Sequence, residues 1–160
     1  MNAINRLICA AAMMLTLCVW PTARDTEPAP HNGDGILRVV GVHFTDRAYD
    51  FVSEDDRAAI EALIARCMQT PAGEDEILQT MMGNFQMPLT FVRMENGREV
   101  TYVFLNNPPL LAVSVQDGER KTQDSYYSLT MEEYMRAEAL YAANGGEQDA
   151  KDYRDLLYSK

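Results

Sequence analysis

The chain has 160 residues, 24 of them acidic and 14 basic, for a formal net charge of -10. Phosphate backbones and anionic lipid surfaces repel a molecule of this sign, which excludes nucleic-acid binding and charge-driven membrane contact as leading readings. Only Cys67 lies beyond the first 23 residues, so a chain trimmed there can form no internal disulfide.

Residues 1–23 differ from the rest. They carry one charge, Arg6, followed by the apolar run LICAAAMMLTLCVW from Leu7 to Trp20 and then Pro21-Thr22-Ala23. The run is short for a membrane span, and its order fits a secretory signal peptide. An uncleaved anchor is the alternative. A third is lipid attachment at Cys18, because Leu15-Thr16-Leu17-Cys18 resembles a bacterial lipoprotein signal apart from Leu17. The expected location is periplasmic or extracellular, with membrane contact only through a retained or lipidated leader. Loss of the leader removes only Arg6 and takes the net charge to -11. Residues 24–35, RDTEPAPHNGDG, read as a flexible spacer. Residues 36–160 are expected to form a single domain, long enough for its own core.

Ile36 to Phe44 predicts a first strand, apolar on both faces, with Gly41 marking a bulge or a close approach. Ser53 is an N-cap for a helix running to about Gln69. Acidic residues fill its first turn, and Ile60, Leu63, Ile64, Cys67 and Met68 form one stripe. Glu74 to Met82 reads as a second, short helix. LTFVRMENGREVTYVFL, Leu89 to Leu105, is the clearest signal: a hairpin about Asn96-Gly97, the favoured pair for a type I′ turn. Its register pairs Glu95 with Arg98, Phe91 with Tyr102 and Leu89 with Phe104. That puts Leu89, Phe91, Val100, Tyr102 and Phe104 on one buried face.

Asn106-Asn107-Pro108-Pro109 reads as a loop that interrupts the ladder. Leu110 to Gln116 is a further strand. Asp117-Gly118 turns it into a charged edge strand, Glu119 to Asp124. Thr130 opens a helix with a capping box to Glu133, and Leu129 can staple onto Tyr134. Asn144-Gly145-Gly146 stops that helix. Glu147 to Tyr158 is a last, polar helix with Tyr153, Leu156 and Leu157 as its anchors. The order predicts an α+β fold, a small antiparallel β-sheet of about five strands with helices packed on one face. The plan resembles that of small exported bacterial domains, a likeness of layout that carries no site residues.

The chemistry on offer is sparse. His43 is the one histidine inside the domain, and its apolar flanks suit a structural ring. A hydrolase would use His43 as base, with Asp46 or Asp50 and a serine or Cys67, or else a carboxylate pair. Glu54-Asp55-Asp56 and Glu132-Glu133 are such pairs, but first-turn capping accounts for them. No metal site and no cofactor are expected: the ligand spacing for zinc is missing, and Met81, Met82, Met87 and Met94 read as packing rather than as copper ligands. Tyrosine is dense in the last third. Tyr134 and Tyr141, seven apart on one helix, are read as core. Tyr126 and Tyr127 are adjacent in extended chain, so one faces outward, and they are the candidate contact residues. The sequence reading is an exported domain of non-catalytic, protein-binding type. Its rivals are a small hydrolase using carboxylates or His43, and a membrane-tethered sensor or lipoprotein domain.

Overall fold

Alternation of large apolar side chains about an Asn-Gly turn sets the centre of the structure. The computed structural model describes residues 35–83, 88–117 and 120–159, so the expected leader and the spacer up to residue 34, with Met87, lie outside the described residues. Strand β3 (Leu89–Glu95) and strand β4 (Arg98–Asn106) pair antiparallel with Glu95 opposite Arg98, Phe91 opposite Tyr102 and Leu89 opposite Phe104. Asn96 and Gly97 sit at φ 52° and 75°, the left-handed conformation that a type I′ turn demands. Leu89, Phe91, Val100, Tyr102 and Phe104 are all buried in one cluster. Phe91 meets Phe104 and Tyr141 edge-on at 5.7 and 5.8 Å.

The architecture is α+β, and among the described residues six strands lie in the order β2-β1-β3-β4-β5-β6, every pair antiparallel. The strand expected over 36–44 is confined to β1, Arg38–Val40, which is central as its composition required. Beyond Gly41 the chain turns on itself and returns as an edge strand unmarked in the sequence, β2 (Ala48–Asp50). The turn is closed by Gly41 N–H donating to the Arg47 carbonyl and Arg47 N–H donating to the Phe44 carbonyl, both at 2.9 Å.

Helix α1 (Glu54–Cys67) starts at Ser53, whose hydroxyl accepts the Asp56 N–H. Its stripe of Ile60, Leu63, Ile64 and Cys67 enters the same cluster as the aromatic face of the hairpin. Helix α2 (Glu74–Met82) sits at the other end of the sheet. There the Thr80 hydroxyl, fully buried, donates to the carbonyls of Glu76 and Pro108.

The ladder is not broken at Asn106-Asn107-Pro108-Pro109. Strand β5 (Pro109–Asp117) begins at Pro109 opposite Asn106, and only Asn107 and Pro108, joined by a cis peptide bond, form the turn. A proline is compatible with the first residue of a strand, where its missing N–H need not serve a ladder. Strand β6 (Arg120–Ser128) is the far edge, longer than expected at its C-terminal end. Thr70 and Ala72 cover that end, bonding Ser128 N–H and the Tyr126 carbonyl at 2.9 and 3.0 Å.

Helix α3 (Met131–Tyr141) carries the capping box between Thr130 and Glu133, and Leu129 and Tyr134 are buried in one cluster. After it the chain makes a wide turn over Ala142–Gly146, broken at Gly145 with φ 133°, and resumes as α4 (Glu147–Tyr158). Among the described residues no helix is long and apolar enough to cross a membrane.

The turn generates the first test. A Cβ on Gly97 would meet nothing within 4 Å, so the cost of a side chain there is one of backbone conformation alone. Gly97→Val is expected to lose about 1 kcal/mol or more in chemical denaturation, and Gly97→Asn markedly less.

Candidate functional site

The most elaborate polar arrangement lies where α4 crosses the β1–β2 turn. In the first turn of the helix, Asp149 is fully buried. Its carboxylate accepts the His43 backbone N–H at 2.6 Å and faces the Tyr49 hydroxyl at 3.4 Å. Gly41 makes room for it: an added Cβ would lie 2.5 Å from Asp149 Oδ1 and 2.8 Å from the Phe44 carbonyl. The sequence marker for a close approach at Gly41 is thus met by a carboxylate from the other end of the chain. Burial pushes the Tyr49 hydroxyl above its ordinary value, and the charge of Asp149 adds to this.

Three residues further on, Asp152 pairs with Arg47 at 2.8 Å, and the Arg47 guanidinium lies 4.0 Å above the ring of Phe44. Tyr153 stacks flat on His43, with ring centres 4.3 Å apart and planes 6° from parallel, and meets Phe44 edge-on at 6.1 Å. Here the body of the domain ends. The expected anchors of this helix separate: Tyr153 is half-buried, while Leu156 and Leu157 are 59% and 53% exposed and Tyr158 is 82% exposed. Asp149 and Asp152 hold the first half of α4 on a short loop, and the helix outruns that loop by one turn. Phe44, Arg47, Asp152, Asp155, Leu156 and Ser159 line a shallow depression of about 320 Å³ at this overhang.

A second polar lock stands beside the first. Asn144, 1% exposed, accepts the Val52 N–H at 2.8 Å and donates to Asp56 at 2.9 Å and to the Leu140 carbonyl at 2.8 Å. The Tyr141 hydroxyl donates to the Val40 carbonyl at 2.6 Å, and burial pushes that hydroxyl up as well.

Tyr134 and Tyr141 lie in the core as read from the sequence. Tyr127 pairs with Leu111 and packs against the core, while its neighbour Tyr126 pairs with Ala112 on the other side of the sheet. Both are half-buried. The residues named for hydrolysis are not gathered. His43 is committed to Tyr153, Asp50 pairs with Arg38 at 2.7 Å, and Cys67 is in the core at 3% exposure. Glu133 is engaged by the Thr130 N–H and hydroxyl and by Arg66, and these hold its carboxyl below the ordinary value. Among the described residues no three histidine, cysteine, aspartate or glutamate side chains converge.

Nothing in the sequence of α4 marked Asp149 apart from its other acidic residues. Gly41 was the one available sign that something must approach that turn. No protein family, no curated protein and no solved structure matches this chain.

Burial raises the Cys67 thiol from 9.0 to about 11, and the nearby charge of Glu133 adds to this. The folded state therefore favours the neutral thiol. Its contribution to stability is complete below the unfolded pKa and is lost as pH rises through about 11. At pH 8, alkylation of Cys67 in the folded chain is expected to run roughly a hundredfold slower than that of an exposed thiol. Peptide mass mapping would separate this site from Cys9 and Cys18.

Proposed function

We propose that this chain is an exported module that acts by binding another protein, and that its contact surface is the overhanging end of α4 with the β1–β2 turn beside it. One observation carries the reading. The apolar stripe of α4 begins as a packed surface at Tyr153 and continues uncovered through Leu156 and Leu157. An amphipathic stripe normally faces a core, and contiguous exposed apolar side chains rimmed by polar ones mark interaction surfaces. The rim here is Arg47, Asp152, Asp155 and Ser159. Export is supported by the apolar run Leu7 to Trp20 and the Pro21-Thr22-Ala23 that follows it.

The surface is positioned by specific contacts between α4 and the β1–β2 turn. The stack of His43 on Tyr153 and the Arg47–Asp152 pair keep α4 and the turn in one geometry, so the exposed groups need little ordering on binding.

A photoreactive side chain placed at Leu157 in the producing cell tests this. Irradiation is expected to yield an adduct with a second, different polypeptide. The same group at Thr101, on the opposite face of the sheet, should yield none. An adduct from Thr101 or Tyr126 with none from Leu157 would overturn the proposed surface.

A further inference from the structure

We infer that the overhang of α4 receives a basic, amphipathic segment of its partner, one that sets a lysine or arginine beside a leucine-sized apolar side chain. The inference rests on the protein-binding reading above and adds the chemistry of what is bound. Phe44 and Leu156 supply the apolar part of the depression, with Leu157 next along the stripe. The charged part is unbalanced. Of the two carboxylates at the rim, Asp152 is neutralised by Arg47 at 2.8 Å, whereas no ion pair among the described residues holds Asp155. Lys151 and Arg154 line a separate depression with Glu147, Gln148 and Ala150. A lysine or arginine of the partner can therefore lay its methylenes along Leu156 and Phe44 and set its charge against Asp155. The Phe44 ring already accepts one cation on its face, the guanidinium of Arg47.

The charge of the whole chain selects in the same direction. At -10, the molecule repels both an acidic partner and a second copy of itself, and draws a basic segment in. The exposed stripe alone would accept any apolar partner. Asp155 at its rim, in no ion pair among the described residues, distinguishes a cationic one in an acidic molecule.

The test is a titration of the full isotope-labelled chain followed by amide chemical shifts. The probe is a synthetic twelve-residue peptide with leucine and lysine at helical spacing, compared with the same peptide carrying glutamate for lysine. The lysine peptide is expected to shift residues 43–47 and 152–158, and the glutamate peptide none. Leu156→Ser should weaken binding about tenfold, as loss of a buried leucine face does. Asp155→Asn should weaken it about two- to fivefold, the range of a partly exposed ion pair. Asp75→Asn removes the same charge at the opposite edge of the sheet and should change nothing. Both substituted side chains at the overhang are exposed, so the fold is retained, and unchanged shifts elsewhere would verify it.

Equal binding of the two peptides, shifts spread over the acidic helices, or equal weakening by Asp75→Asn would overturn the inference. So would shifts that depend on the concentration of the chain alone, which would make a second copy the occupant. If the lysine peptide fails while the Leu157 cross-link forms, the partner chemistry is wrong and the surface stands. If both fail, the surface itself is wrong.

Discussion

A buried carboxylate organises the outer third of this molecule. An ionised side chain withdrawn from water is costly unless its lone pairs are met, and removing its partners leaves a penalty rather than a mere loss of contact. Asp149 is fully enclosed, and the contacts that meet it come from the β1–β2 turn and from β2: the His43 N–H and the Tyr49 hydroxyl. The shape of that turn follows from the same requirement. A side chain at Gly41 would occupy the place of Asp149 Oδ1, and the segment beyond Gly41 leaves the ladder to close around the carboxylate. The turn between β1 and β2 and the docking of α4 therefore meet at one carboxylate.

This explains what was readable from the residues and what was not. The hairpin was legible in full because its information is local. Asn96-Gly97 sets the turn, the turn sets the register, and alternation then assigns Phe91, Tyr102 and Phe104 to the core. The capped starts of α1 and α3 were legible for the same reason, since Ser53 and the Thr130–Glu133 box act within one turn. The extent of the first strand was not, because the carboxylate that meets the chain just beyond it, Asp149, lies 109 residues after Val40. The stripe that predicts Leu156 and Leu157 as anchors has a real periodicity. Periodicity reports which side of a helix is apolar but not how far the surface beneath it reaches. Residue type and alternation are what name Tyr126 and Tyr127 as contact candidates. Alternation correctly put the two on opposite sides of β6, without indicating that Thr70 and Ala72 bond to that end of the strand.

The way α4 is attached bears on what it can do. Its contacts with the turn are a buried carboxylate, one partly exposed ion pair and the ring of Tyr153 against His43 and Phe44, whereas α1 and α3 contribute apolar side chains to the main core. Polar, peripheral attachment is specific in geometry and modest in energy, the description of a unit that opens below the free energy of global unfolding. Asn144 supports the same unit from its base by joining the wide turn to Val52 and Asp56. The exposed stripe of α4 is presented on a helix whose position depends on these few groups, so the surface and the Asp149 lock stand or fall together.

Amide hydrogen exchange on the native chain and on Asp149→Ala and Asp149→Asn tests that dependence directly. The account expects α4 and residues 41–47 to lose protection together in Asp149→Ala, to a smaller degree in Asp149→Asn, which keeps one acceptor oxygen, while β3, β4 and β5 exchange as before. Unchanged protection of α4 in Asp149→Ala, or loosening of α4 with residues 41–47 left intact, would contradict it.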